Sequence, residues 1–418
     1  MDHDKYLPLT GLRVVEMGTI AALPRSARVL AGFGADVIKV EAPQGDSYRV
    51  LKTYKNQYDT MFTAENSNKR FVSIDLKHPA GKEAFLKLLE TTDVFMTNVR
   101  MKALCKLGID YENLKERFPR LIYTHFSGYG TLGPEKDAPG YDTAAFWAKS
   151  GSLVDIVKKG NDPVRPSVGF GDLATSNALV AGTMIAVYAR EHTGHGTFVS
   201  SSLYNSAIWC ASNAVITSQF GTEYPDDFER PANPFCRTYE CKDGEWINFT
   251  FSDYDGRWEA NCRLFGLEDY ISDERYNTAA HLVEGDHKYE LTQLIKAAIK
   301  KKTQAEWLEI LQTTDAVYSP VRHFKDIAHD EQAWANDFLE MVPFEKPGPV
   351  AMPLPPMHFS EYGRKKYEFC GPVGAHTREV LREVGMTDEQ VDVLAKSGAV
   401  ITGESIDAVR WTPIDIIL

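Results

Sequence analysis

Short apolar runs alternate with helical stretches over the first 130 residues, and that alternation leaves the chain few folds to choose from. Leu12 to Met17 reads as a strand, Pro24 to Phe33 as a helix opened by proline, and Asp36 to Glu41 as the next strand. Val72 to Asp75 reads as a strand and Pro79 to Glu90 as a helix, with further strands at Asp93 to Thr97 and Leu121 to His125. Strands separated by helices pair in parallel and place those helices over the sheet. The expectation is a doubly wound, Rossmann-like α/β sheet.

From Leu173 to His192 the sequence reads as one long helix, closed by Gly194 and Gly196, whose nearly continuous apolarity predicts burial. Between Tyr224 and Asn233 the texture shifts to Pro, Asp and Glu, as in a linker. Strand-like runs at Arg237 to Glu240 and Trp246 to Phe251 then flank a Lys242-Asp243-Gly244 turn. Helical patterns follow at Trp258 to Phe265 and Lys288 to Lys300. A proline-rich stretch from Pro343 to Pro356 leads to a helical tail at His376 to Lys396. The expected organisation is a large domain over 1–223, a linker and smaller α+β domain over 224–342, and a C-terminal segment, 343–418, packing back on the first.

A net charge of -12 argues against a nucleic-acid or anionic-membrane binder, since those surfaces are bound by summed positive charge. Met1 to Leu9 is polar where a secretion signal needs an apolar core, and no apolar run reads as a membrane span, so a cytoplasmic location is expected. Six scattered cysteines lack the paired spacing of a zinc site or disulfide framework. None of the eleven histidines forms a metal spacing, and neither a Gly-x-Ser-x-Gly elbow nor a Walker loop occurs. No metal is expected.

The strand, loop and helix ending in Glu41 outline a dinucleotide site, but the loop Gly18 to Pro24 has one glycine where that motif needs three. Chemistry is better placed at Val168-Gly169-Phe170-Gly171-Asp172. Here a carboxylate follows a Gly-x-Gly turn at the start of the long helix, where free N–H groups and the helix dipole would keep it ionised and could stabilise an oxyanion. On position alone a plain N-cap is the simpler reading of Asp172. Asn68-Lys69-Arg70, Asn98-Val99-Arg100, Lys102 and Lys106 form a basic group near strand ends that would suit phosphates, although position alone favours a solvated surface. The Ser127-Gly128-Tyr129-Gly130 loop lies at the same sheet edge.

Taken in order, these residues resemble the family III CoA-transferases, a family that also contains the alpha-methylacyl-CoA racemases. Leu9-Thr10-Gly11-Leu12-Arg13-Val14-Val15-Glu16 is similar to the family opening. Gly34 to Glu41, with Gly45-Asp46 and Arg49, resembles its most specific signature. Asn68-Lys69-Arg70, Ser127 to Gly130, Gly133-Pro134 and Thr193-Gly194-His195-Gly196 are further landmarks, so the likeness runs nearly end to end.

The resemblance implies that Asp172 is a nucleophile, passing through a mixed anhydride and an aspartyl-CoA thioester. It implies CoA along Ala21, Ala22, Ala42, Asn68 to Arg70, Asn98 to Arg100, Lys106 and Ser127 to Gly130, as substrate and with no tightly bound cofactor. An interlocked homodimer is implied as well. Ser127 stands where the formyl-CoA subgroup has lysine, which speaks against oxalate. Thr97 to Leu104, Asn233-Pro234-Phe235 and Asp330 to Asp337 resemble the 2-hydroxyacid (phenyllactate-type) transferases of amino-acid-fermenting anaerobes, implying an acyl-CoA donor, a 2-hydroxy acid acceptor and association with a 2-hydroxyacyl-CoA dehydratase. Carnitine and bile-acid transferases are neighbours. A racemase is the competing class, but its Gly-His-Asp motif reads Gly140-Tyr141-Asp142 here, and a tyrosine of pKa about 10 is a poor base at neutral pH.

Overall fold

A computed structural model describes residues 6–49, 60–167, 169–345 and 348–403. Val168, the first five residues and positions 346–347 of the proline-rich stretch lie outside that set. The chain divides into two compact units, one within 1–153, 165–217 and 332–418, the other within 154–164 and 218–331.

The first unit is built on strands β1 (Arg13–Met17), β2 (Asp36–Glu41), β3 (Arg70–Ile74), β4 (Val94–Thr97), β5 (Ile122–Ser127) and β6 (Phe198–Ser202). All six pair in parallel in the order β3-β2-β1-β4-β5-β6, and a short C-terminal strand, β12 (Val400–Ile401), adds antiparallel to β3. Winding runs outward from β1 in both directions. Its reversal between β1 and β4 opens a crevice at the carboxyl ends of the strands, where open α/β sheets bind their ligands.

Helices α1 (Ala22–Gly32), α2 (Thr60–Asn66), α3 (Pro79–Leu89), α4 (Met101–Leu107), α5 (Tyr111–Leu114), α6 (Ser152–Asp155), α7 (Phe170–Thr193) and α8 (Leu203–Cys210) follow in the same stretch of chain. Strand alternation sorts the core into two layers. Val14, Val37, Val94 and Ile122 meet Leu23, Ala27, Leu179 and Ala186 of α1 and α7 on one face. On the other, Val15, Ile38, Val72 and Phe95 meet Phe85 and Leu88 of α3 together with Val380, Leu381 and Val391 from the tail.

Two expectations need correction here. Helix α7 buries Leu179, Val180, Thr183 and Ala186 but leaves Ile185 and Tyr188 about 70% exposed, so its continuous apolarity covers a buried face and an open one. It is also long and apolar enough to cross a membrane by composition, yet its inner face packs on the sheet. The tail is two helices, Thr377–Glu383 and Asp388–Lys396. Gly385 at φ +82° separates them, and a Thr387/Gln390 capping box opens the second.

The second unit carries a three-stranded antiparallel sheet of β7 (Thr238–Glu240), β8 (Trp246–Phe249) and β9 (Tyr318–Pro320). Helices Tyr254–Phe265, His287–Ile299 and Gln304–Leu311 cover it through an aromatic core of Phe235, Phe249, Trp258, Phe265 and Trp307. A separate hairpin, β10 (Leu339–Pro343) with β11 (Pro349–Pro353), belongs to the first unit.

Beneath the crevice lies a buried charge cluster. Glu16 on β1 accepts from Lys39 Nζ at 3.2 Å and from Lys69 Nζ at 3.0 Å, and Lys39 also pairs with Asp46 at 3.0 Å. Burial works against the Glu16 charge, but the two ammonium groups outweigh it and hold the carboxyl below its usual range. Burial pulls Lys69 down to about 8. Removing one member leaves a buried charge uncompensated. Lys39→Met is therefore expected to cost about 3 kcal/mol of stability, read as a lowered urea midpoint at pH 7; an unchanged midpoint would show that the cluster contributes nothing.

Candidate active site

The crevice holds two cavities. The first, about 350 Å³, lies between the loop after β1 (Thr19 to Ala22), the turn after β4 (Asn98 to Met101), the end of β5 (His125 to Gly128) and the segment Lys136 to Tyr141, with Asp172 in its wall. The second, about 410 Å³, is lined by the loops after β1, β2 and β3, including Ala42, Gly45, Asp75 and Lys77. Thr19 and Val99 belong to both walls.

The β1–α1 loop is fixed from below and from the side. Lys39 Nζ donates to Gly18 O in the loop at 2.7 Å, and Lys69 Nζ to Pro24 O in the first turn of α1 at 2.9 Å. The Asn98 side chain bridges Thr19, accepting from its N–H at 3.1 Å and donating to its carbonyl at 2.9 Å. Between these anchors Ile20 sits at φ +70°, a conformation that a β-branched residue adopts only when its surroundings impose it.

Asp172 is the third residue of α7, and Gly169, left-handed at φ +78°, occupies the N-cap. The plain-cap reading therefore does not describe it. The helix-start amides of Gly169, Gly171 and Asp172 instead face the carboxylate of Asp142, which is buried and makes no hydrogen bond of standard geometry to them. Gly171 is required for this approach: a Cβ there would lie 2.2 Å from Asp142 Oδ1 and 2.3 Å from Phe146 Cγ. With Asp142 against those amides, they are not open to a substrate oxyanion as the sequence suggested.

The expectation that Asp172 stays ionised also changes. Burial, then the neighbouring charges of Asp142 and Glu65, push its carboxyl up to about 7. Glu65 is itself clamped by Arg25 through bonds of 2.5 and 2.6 Å. Asp142 is raised in turn by burial, against the lowering influence of the α7 amides and Trp147.

Of the residues singled out from sequence, Ala21, Ala22, Asn98, Val99, Arg100, Ser127, Gly128 and Asp172 line the first cavity, and Ala42 the second. Tyr129 and Gly130 lie in a separate cleft beside β6, where the Gly130 N–H donates to Ser127 Oγ at 3.0 Å. Lys106 is in the last turn of α4, in neither cavity wall. The Asn68-Lys69-Arg70 run is spread over three environments. Asn68, at φ +66°, donates to Lys366 O, Lys69 is buried in the charge cluster, and Arg70 pairs with Asp36, Glu379 and Glu383 at the amino end of β3. Sequence reasoning missed Lys136 and His125 in the first cavity. Lys136 carries no periodic signal, and His125 reads only as the end of a strand.

Fold and crevice define the class: a doubly wound α/β protein with a poised carboxylate at its switch point. Comparison with known proteins narrows this. The model of CoA-transferase family III matches residues 9–377. The chain is 37% identical to (R)-2-hydroxy-4-methylpentanoate CoA-transferase of Clostridioides difficile, over 92% of this chain and 97% of that protein. It is 34% identical to cinnamoyl-CoA:phenyllactate CoA-transferase of Clostridium sporogenes, over 93% and 96%. Its fold matches the crystal structure of a CAIB/BAIF family protein from Brucella suis with a TM-score of 0.76 and 26% identity, covering 91% of this chain and 100% of that one. The chain belongs to CoA-transferase family III, and it is a CoA-transferase.

In the ligand-free protein the Asp172 carboxyl should ionise with a midpoint of about 7, followed by carboxyl-carbon NMR from pH 5 to 8. Asp142→Asn removes one of the charges raising Asp172 and should move the midpoint to lower pH. A flat profile from pH 5 to 8 would contradict this electrostatic picture.

Proposed function

We propose that this enzyme transfers CoA from an acyl-CoA donor to a 2-hydroxy acid through a covalent intermediate on Asp172. The observation that carries the proposal is a carboxylate with a raised pKa in the wall of the switch-point cavity, in a chain more than one-third identical to a 2-hydroxy-4-methylpentanoate transferase. CoA would lie across both cavities, its adenosine end near Ala42 and its thioester near Asp172, with Arg100 as a phosphate partner. The residues assigned to CoA on this reading are Ala21, Ala22, Ala42, Val99, Arg100, Ser127 and Gly128.

In the first step an Asp172 oxygen bonds to the thioester carbon and the C–S bond breaks, giving a mixed anhydride and CoA thiolate. The thiolate then attacks the aspartyl carbonyl, releasing the donor acid and leaving an aspartyl-CoA thioester. The acceptor carboxylate attacks that thioester, and the freed thiolate takes the acceptor acyl group, restoring Asp172. One thioester replaces another, so the exchange needs no outside energy source. CoA held in the crevice makes each return of thiolate effectively intramolecular.

A homodimer fits the exposed apolar side chains of two helices, Ile185 and Tyr188 on α7 and Trp209 on α8. Cytoplasmic 2-hydroxyacid fermentation, with a dehydratase acting on the product, is the setting this chemistry suits.

The test is a panel of carboxylic acids offered with one acyl-CoA donor. The highest kcat/KM is expected for a 2-hydroxy acid, with a loss of about a thousandfold or more in Asp172→Asn. Equal use of carnitine or a bile acid would place the enzyme elsewhere in the family. Deuterium entering the alpha carbon of a 2-methylacyl-CoA, without transfer, would make it a racemase.

A further inference from the structure

We infer that His125 is a positioning residue for the CoA thioester, locking the Asn98-Val99-Arg100 segment that forms part of the cavity wall. This rests on the CoA reading of the crevice and assigns a role within it.

The segment is a three-residue turn between β4 and α4, and it is stitched to its neighbours. Thr97 Oγ1 donates to Met17 O at 2.9 Å and accepts from Val99 N–H at 3.1 Å, which holds its start to β1. Asn98 bridges both backbone groups of Thr19, which holds its middle to the β1–α1 loop. From β5, His125 Nε2 meets the Val99 carbonyl at 3.0 Å. A carbonyl only accepts, so Nε2 carries the proton and the imidazole is the Nε2–H tautomer. Burial also pulls His125 below the ordinary histidine range, which keeps the ring neutral.

The imidazole is 3% exposed, stacks on Phe198 at 6.2 Å and 23°, and leaves Nδ1 buried without a hydrogen-bond partner. An apolar ring would satisfy that stacking without stranding a polar atom. What histidine adds at this position is the bond to Val99.

Its consequence falls on the next residue. Arg100 is exposed, caps α4 without a side-chain bond, and reaches the cavity from a backbone that the stitches hold still. A long cation on a fixed backbone surrenders less freedom on binding than one on a mobile turn. Asp172 is held separately, by α7 and by Asp142 against its helix start. Loosening the turn should therefore weaken CoA binding and spare the chemical step.

The experiment uses the full-length enzyme and three variants. His125→Phe keeps the ring and loses the donor, His125→Gln keeps a donor near the Nε2 position, and His125→Asn keeps polarity but is too short to reach Val99. CoA affinity is read by calorimetry, kcat by transfer assay, and opening of residues 95–104 by amide exchange without CoA. His125→Phe and His125→Asn should weaken CoA about fivefold, the scale of one hydrogen bond, and quicken exchange in that peptide. Their kcat should stay within about twofold of the parent, and His125→Gln should restore affinity and protection. Should His125→Phe not fold, the glutamine and asparagine variants carry the comparison. Parent-like affinity and exchange in the asparagine variant would overturn the assignment, as would a fall in kcat at unchanged CoA affinity or no rescue by glutamine. A parent enzyme that binds no CoA would instead overturn the CoA reading of the crevice, and the role of His125 with it.

Discussion

The crevice depends on a salt cluster that water does not reach. Glu16 and Lys39 are paired positions on β1 and β2, Lys69 immediately precedes β3, and the three neutralise one another beneath the crevice. Each lysine spends a further hydrogen bond beside the crevice, Lys39 on Gly18 in the β1–α1 loop and Lys69 on Pro24 in the first turn of α1. A buried ion pair contributes little net stability against an apolar substitute. Its value here is positional: it lets Ile20 hold a left-handed conformation and keeps Thr19 where two cavities meet.

Above that base the electrostatics run opposite to a simple helix-start argument. The amides that open α7 are directed at Asp142, so the second carboxylate, Asp172, meets burial and like charge instead of donors. A carboxyl near 7 divides its time between the neutral and ionised forms at neutral pH, and the ionised form is more basic than an ordinary aspartate. Such a group suits a nucleophile that must also be regenerated as a leaving carboxylate.

Much of the fold was legible because period and punctuation agreed. Asp36–Glu41 is found where the alternation placed it, and the proline-opened helix at 79 starts at Pro79. Strand β6, Phe198–Ser202, was missed because three serines hide its period, and β12 because two residues make no pattern. Gly169 and Gly171 drew attention to Asp172, but position alone read it as a cap and only the family resemblance made it a nucleophile; its raised pKa was not legible, because Asp142 and Glu65 reach it only through tertiary packing. Basic residues misled for the same reason. Lys69 and Arg70 are neighbours in sequence, yet at the entry to β3 one turns into the core and the other to Asp36 and Glu383.

The central claim is that Asp172 becomes covalently acylated. Enzyme incubated with an acyl-CoA and no acceptor, then quenched with hydroxylamine, should yield a hydroxamate on the peptide containing Asp172, seen by mass spectrometry and absent without the thioester. Transfer proceeding at full rate while that peptide stays unmodified at every time point would contradict the account.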